Sequence, residues 1–300
     1  MADTQIPHPI PYQGSKRQLA SAIAHYVGKD VKTLYEPFAG SAAFSLYAAR
    51  HQLAERFVIG DVLEPLVELW RLIVSAPHTT ADRYETIWKG QLKDDPTYYY
   101  RVREQYNQNR DPVMLLYLIA RCVKNAVRFG KDGRFTQSAD KRRIGMHPKK
   151  MREAIQASSW LLNGRVTFFA GDFAQCVEDA SQDDLIYMDP PYQGTTYGRD
   201  KRYYQQLSVE RLYEILHQLN RWQVPFILSY DGRHGDKEYG QVLPEALKTH
   251  RVLINAGRSS QATLNGKNTI TVEALYLSQG LAETMTSWKP VGEEQMPLGI

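Results

Sequence analysis

The sequence predicts an α/β fold built on a mostly parallel sheet, and three observations lead there. Short apolar runs rich in strand-forming residues alternate with amphipathic helical stretches. Several of these runs stop on an acid, as in Ile59-Gly60-Asp61, Ala170-Gly171-Asp172 and Met188-Asp189. The first run leads through the small-residue turn Phe38-Ala39-Gly40-Ser41-Ala42 into an alanine-rich helix, the pattern of a strand–turn–helix unit in an open sheet.

Three hundred residues with 43% hydrophobic content suffice for one large domain or a domain carrying an insertion. No apolar run reaches bilayer length, and the start Met1-Ala2-Asp3-Thr4-Gln5 lacks the regions of a signal peptide, so a soluble, cytoplasmic protein is expected. Cys122 and Cys176 make no disulfide framework, and the eight histidines lack metal-ligand spacing, so no metal is expected. The net charge of +4 is unevenly spread. Residues 121–152 carry eleven Lys or Arg against Asp132 and Asp140, a local +9, which leaves −5 on the remainder. Such a segment reads either as a solvated face or, embedded in aromatic and turn residues, as a polyanion site.

Taken in order, Ser15 and Gln18 have capping-box spacing before Leu19, Ala22, Ile23 and Tyr26, so a loop containing Gly14 is expected to enter a helix N-terminus. Residues 31–44 read as a strand, a small-residue turn at Gly40 and an alanine-rich helix, and small residues there let a ligand approach the backbone. A second strand at residues 56–61 ends on Asp61, placed as the acid that accepts ribose hydroxyls in nucleotide-binding sheets. Strand, turn, helix, strand and acid together point to a nucleoside-containing cofactor. From Glu64 the pattern turns helical. Leu66, Leu69, Trp70 and Ile73 share a face, and Asp111-Pro112 opens a strongly apolar helix over residues 113–127, so a helical insertion is expected. Asp132-Gly133 between Phe129 and Phe135 signals a hairpin tip with basic flanks. Arg128, Lys131, Arg134, Lys141, Arg142 and Arg143 suit phosphates, and Asn125, Thr136 and Gln137 suit base edges in a duplex groove.

The sheet resumes at residues 165–173 and continues at residues 185–189. A helix at residues 208–219 and a strand at residues 224–231 follow. Residues 251–259 and 269–277, joined through Asn265-Gly266, read as an antiparallel hairpin closing the sheet, and past about Gly280 the periodicity gives way to a loose tail. Within this series, Leu185-Ile186-Tyr187-Met188-Asp189-Pro190-Pro191-Tyr192 is a buried strand ending in a carboxylate, two prolines and an aromatic ring. Two prolines stiffen the turn and leave its carbonyls free to accept. The stretch fits an ordinary proline turn, or a clamp for an amino group and a flat ring. The following residues 193–198, with two glycines, fit a plain loop or a flap.

The ordered set of motifs resembles the Dam-type, or D12 class, adenine-specific DNA methyltransferases over most of the chain. Tyr12-Gln13-Gly14-Ser15-Lys16 is similar to the amino-terminal cofactor motif of that family, Glu36-Pro37-Phe38-Ala39-Gly40 to its glycine turn, and Asp189-Pro190-Pro191-Tyr192 to its catalytic tetrapeptide. The resemblance implies a Rossmann-like sheet and methyl transfer from S-adenosylmethionine to N6 of a flipped adenine in double-stranded DNA. It implies a cofactor pocket lined by Tyr12, Gly14, Lys16, Glu36, Pro37, Phe38, Gly40, Asp61, Asp172, Phe173 and Asp189, and a catalytic set of Asp189, Pro190, Pro191 and Tyr192. Residues 1–64 and 160–281 are then the catalytic domain, 65–159 the inserted target-recognition domain and 282–300 a flexible tail of a monomer or weak dimer. One departure stands out: Ala42 occupies a place where the family often has a second glycine, and alanine, which adds a methyl, is expected to exclude a positive φ there and so to weaken cofactor binding.

The chemistry follows independently. An exocyclic adenine amine is a poor nucleophile, and acceptors at Asp189 and the Pro190 carbonyl let its nitrogen pyramidalise and stabilise the charge that develops on it. Tyr192 is expected to stack on the flipped base. Cytosine C5 methylation is disfavoured, because neither cysteine follows a proline. Cytosine N4 transfer, RNA base methylation and a non-catalytic DNA-binding role on the same scaffold remain as alternatives.

Overall fold

A computed structural model describes residues 6–92, 95–191, 207–234, 237–239, 242–258 and 270–285. Its strands are β1 (Val31–Glu36), β2 (Ala54–Asp61), β3 (Val166–Ala170), β4 (Leu185–Met188), β5 (Phe226–His234), β6 (Lys237–Tyr239), β7 (His250–Arg258) and β8 (Ile270–Leu277). They form one sheet in the order β3-β2-β1-β4-β5-β8-β7, with β6 paired to β5. The pairs β3–β2, β2–β1, β1–β4 and β4–β5 are parallel, whereas β5–β8, β8–β7 and β5–β6 are antiparallel.

The α/β class and the seven expected strands thus stand, with the short β6 added and one change of meaning at the end of the chain. The terminal hairpin does not simply close an edge. Its second strand, β8, slots between β5 and β7 and becomes interior. Asn265-Gly266, the expected turn, lies outside the described residues.

β4 shows why its sequence is a continuous apolar run. Leu185 and Tyr187 face one apolar cluster and Ile186 and Met188 the other, so helices on both sides of the sheet leave the strand no polar face. On one side lie α1 (Ala20–Ala24), α2 (Ala43–Arg50) and the helices between β2 and β3, and on the other α8 (Phe173–Cys176) and α9 (Val209–Arg221). In α9, Leu212, Ile215, Leu216 and Leu219 are buried at helical spacing, and Ser208 Oγ accepts from the Arg211 N–H as an N-cap.

Between β2 and β3 run α3 (Glu64–Ser75), α4 (Pro77–Gly90), α5 (Tyr98–Asn109), α6 (Pro112–Arg121) and α7 (Pro148–Leu162). Leu66, Trp70, Tyr84, Leu116 and Ile155 from these helices join the same apolar cluster as Leu34 and Phe44. α6 opens as expected, with Asp111 Oδ1 accepting from the Val113 N–H, but it ends at Arg121 rather than at Val127. Lys124 and Asn125 take positive φ of 59° and 52°, and the chain there instead gives Val123 N–H to Ser138 O and Asn125 O to the Gln13 N–H. Tertiary hydrogen bonds override helical periodicity at this point.

Two further expectations are corrected. Ser15 does not cap a helix; Lys16–Gln18 is a single 3-10 turn, α1 has five residues, and the Ser15 hydroxyl is held by Ser41 Oγ at 2.8 Å. Past Gly280 the chain is not a loose tail at once, because α10 (Gln279–Met285) buries Leu281 against the main apolar cluster. Residues 286–300 lie outside the described set.

Candidate active site

A cavity of about 570 Å³ opens where β1, β2 and β4 end, within the size range of small-molecule sites. Its location is the carboxyl edge of the parallel strands, where open sheets keep their ligand crevices.

One wall is the β1–α2 turn. Gly40 has φ +49°, and a Cβ there would lie 3.1 Å from Cε1 of Tyr12, so the Tyr12 ring rests directly on the glycine backbone. Ala42 also takes the left-handed region, at φ +46°, while fully buried. The expectation that alanine excludes this conformation is therefore wrong: the Ala42 N–H donates to Ala39 O at 2.6 Å, and the turn is formed despite a strain of about 1–2 kcal/mol.

Two carboxylates hold this wall. Asp61 Oδ2 accepts from the Gly40 N–H at 3.0 Å and Oδ1 from the Leu63 N–H at 2.9 Å. A carboxylate has about four acceptor sites, so lone pairs remain for a ligand hydroxyl. Glu36 Oε2 accepts from the Ser45 N–H at 2.8 Å and Ser45 Oγ at 2.5 Å, at the start of α2. Burial pushes the Glu36 carboxyl up to about 7, the Ser45 and Phe44 donors opposing the rise and the Asp189 charge adding to it. Trp70 Nε1 donates to Gly40 O at 3.0 Å, so the turn is pinned from the helical side as well.

Phe38 and Phe173 stack at 5.1 Å and make an aromatic ledge. Beside it Asp172 lines the cavity, with its Oδ1 capping α8 through the Ala174 N–H. Tyr12, Gly14, Lys16, Glu36, Pro37, Phe38, Gly40, Asp61, Asp172, Phe173 and Asp189 all line this one space, so the expected cofactor-pocket residues come together. Pro190 and Pro191 join them, whereas Tyr192 and residues 193–198 lie outside the described set.

Asp189 follows β4 directly. Lys16 Nζ stands 3.4 Å from Asp189 Oδ1 and donates to Glu273 Oε2 at 2.7 Å; Ser229 Oγ donates to the same Glu273 oxygen at 3.1 Å. Burial pushes the Asp189 carboxyl up to about 7, Lys16 pulling it down and Glu273 pushing it up. Glu273 and Ser229 were not among the expected residues. The available signal was a lone acid inside the otherwise uncharged strand Ile270-Thr271-Val272-Glu273-Ala274-Leu275.

The basic segment is more heterogeneous. The expected hairpin forms, with Gly130 N–H to Arg134 O at 2.8 Å and Phe129 packed edge-on to Phe135. Arg128 and Phe129 line the cavity itself. Lys131, Lys141, Arg142, Arg143 and Thr136 are exposed. Arg134 makes a two-pronged pair with Glu104, and Arg143 pairs with Asp140 at 2.9 Å. Asn125 gives its amide to Ile119 O at the end of α6, and Gln137 gives its amide to Val123 O, so both are engaged within the fold.

The chain is also similar to known proteins. The chain is 25% identical to a DNA adenine methylase of Haemophilus influenzae over 189 residues, 61% of this chain and 63% of that protein. It is 26% identical to a DNA N-6-adenine-methyltransferase of Escherichia phage P1 over 190 residues, 61% of this chain and 23% of that protein. It is 23% identical to the type II methyltransferase M.FokI of Planomicrobium okeanokoites over 274 residues, 89% of this chain and 42% of that protein. The matches therefore span less than two thirds of the length of these relatives. The mostly parallel sheet with antiparallel β8 is consistent with a Rossmann-like methyltransferase fold. A family model for D12 class N6 adenine-specific DNA methyltransferases matches residues 12–286, which takes in every element described above, and the chain belongs to that family.

Proposed function

We propose that this chain transfers a methyl group from S-adenosylmethionine to the N6 amine of a flipped adenine in duplex DNA. The observation that carries the reading is the placement of Asp189, Pro190 and Pro191 on the same cavity as the Gly40 turn, Asp61 and the Phe38–Phe173 ledge. That cavity suits the donor in its chemistry: the aromatic ledge matches a flat base, the Asp61 carboxylate matches ribose hydroxyls, and the side-chain-free Gly40 backbone lets the ligand lie close. When bound, the donor supplies an electrophilic methyl on a good leaving group.

The chain's own groups then act on the amine. Asp189 accepts one N–H of N6 and the Pro190 carbonyl accepts the other, which draws the nitrogen toward a pyramidal geometry. As positive charge grows on that nitrogen, the half-buried Asp189 carboxylate stabilises it in a site where water competes less well than in bulk. No covalent enzyme intermediate is needed. Both thiols are buried and raised to about 12 by that burial, which speaks against the cysteine nucleophile of C5 methylation.

The helices and hairpin of residues 65–159 are the proposed recognition part, set on a catalytic body of residues 1–64 and 160–281. Arg128 and Phe129 support this, since the hairpin reaches the cavity through them. Lys131, Lys141 and Arg142 are the proposed phosphate contacts. A non-catalytic role is disfavoured, because Ala42, its motive, does not prevent the turn from forming.

The test is incubation with labelled S-adenosylmethionine and mixed duplex DNA and RNA, followed by nucleoside analysis. N6-methyladenine in DNA is the expected product; N4-methylcytosine, a labelled RNA nucleoside, or no label overturns the reading.

A further inference from the structure

The proposed chemistry uses Asp189, and behind Asp189 stands a second, largely buried carboxylate. Glu273, on the interior strand β8, has a side chain only 16% exposed and stays outside the cavity lining. Lys16 lies between the two: its side chain is 8% exposed, its ammonium 2.7 Å from Glu273 and 3.4 Å from Asp189. The short contact is the one made away from the cavity. Ser229, on β5, donates to the same Glu273 oxygen at 3.1 Å and helps to hold it. Four separate pieces of chain meet here: the amino-terminal loop, the end of β4, β5 and β8.

An ammonium beside a single buried carboxylate settles at about 2.7–2.9 Å. At that distance Lys16 would occupy an oxygen that the substrate amine has to reach. Resting on the methyl-transfer reading, we propose that Glu273, held by Ser229, is a positioning residue that tethers Lys16 so that it partly neutralises Asp189 without closing onto it. Asp189 then keeps an acceptor oxygen for the incoming N–H. β8 has to pair with β5 for this, since that pairing brings Glu273 beside Ser229.

Among the described residues, the charged and titratable groups facing Asp189 are Lys16, Glu273, Glu36 and the Tyr187 hydroxyl. Lys16 favours the ionised Asp189, and Glu273 disfavours it. Removing the Glu273 charge therefore moves the acid limb of activity to lower pH, and removing the Lys16 charge moves it to higher pH. Opposite movements are a signature that a merely structural role does not produce.

The experiment is the pH dependence of kcat, with KM for S-adenosylmethionine, for the full-length protein on duplex DNA. The wild type is expected to lose activity as pH falls through about 7. Glu273→Gln is expected to lower kcat about tenfold with KM for the donor changed less than about twofold, and to shift the acid limb down by about one pH unit. Glu273→Asp, which keeps the charge, is expected to bring the limb back toward the wild type. Lys16→Met is expected to shift the limb upward. A fall in kcat with a stationary limb in Glu273→Gln overturns the proposal, as does unchanged kcat. Should Glu273→Gln not fold, Lys16→Met decides: an upward limb supports the tether and a stationary one overturns it. If the wild type forms no N6-methyladenine, the methyl-transfer reading fails instead, so the two failures are told apart.

Discussion

The glycine-turn wall of the cavity and the basic segment of residues 121–152 are both polar and both face the proposed ligands, yet they are built in opposite ways. In the wall, Asp61 and Glu36 each take two short hydrogen bonds from the adjoining turn or helix start, and Trp70 pins Gly40 from behind. Glu36 is buried and Asp61 half-buried, and their positions follow from strand ends. In the basic segment most of the charges sit on exposed side chains. Arg134 with Glu104, and Arg152 with Asp82 and Glu85, make surface ion pairs that solvent screening leaves weak. The wall is preformed and selects by geometry, whereas the basic segment is adjustable and acts through long-range charge. Binding to the first should be nearly indifferent to salt, and binding to the second strongly dependent on it.

The largest expected effect separates chemistry from charge. Asp189→Ala is expected to lower kcat for methyl transfer by about 10²–10³-fold, while DNA affinity and its salt slope, followed by anisotropy, stay as in the wild type. An active Asp189→Ala enzyme breaks the proposed mechanism. Next, Asp61→Ala leaves the Gly40 and Leu63 N–H groups without their acceptor. The expected loss is about 1–3 kcal/mol in stability, seen as a lower Tm, with S-adenosylmethionine affinity weakened roughly tenfold or more in calorimetry. A variant with unaltered donor affinity would show that the turn does not depend on this carboxylate.

The charge side gives a smaller and differently shaped response. Lys141→Ala with Arg142→Ala is expected to flatten the log–log salt dependence of DNA binding by about 0.9 for every phosphate that is no longer neutralised. Arg134→Ala should do less, since Glu104 already neutralises it. Equal effects would mean that DNA displaces Glu104 from Arg134. The smallest effect belongs to Ala42→Gly. Relief of left-handed strain, about 1–2 kcal/mol, is offset by the lost buried methyl and the freer unfolded chain, so denaturation should register a change of about 1 kcal/mol or less.

The same contrast explains which features the amino-acid sequence makes legible. Motifs on the parallel strands are legible because a strand end, a glycine and an acid carry their geometry locally: Gly40, Asp61, Asp172 and Asp189 all line one cavity. The basic hairpin is legible as a turn from Asp132-Gly133 between two phenylalanines. Its charge is less so, since the partners that temper the local +9 include Glu104, Asp82 and Glu85 from helices outside residues 121–152. The end of α6 escapes sequence reasoning because Cys122 and the following residues continue the apolar pattern, while the bonds that stop the helix come from Gln13 and Ser138. Ser15 misleads for a similar reason, its hydroxyl being taken by Ser41 across the site.

By itself the sequence determined the alternation of strands and helices, the double-faced burial of β4 and the residues that meet at the carboxyl edge, since these rest on periodicity and on turn chemistry that neighbours in sequence impose. Only the tertiary structure decided that β8 lies between β5 and β7, and with it that Glu273 reaches Lys16 behind Asp189. Strand order depends on which edges pair and which apolar faces cover each other, and those free energies belong to residues hundreds of positions apart, such as the 257 that separate Lys16 from Glu273.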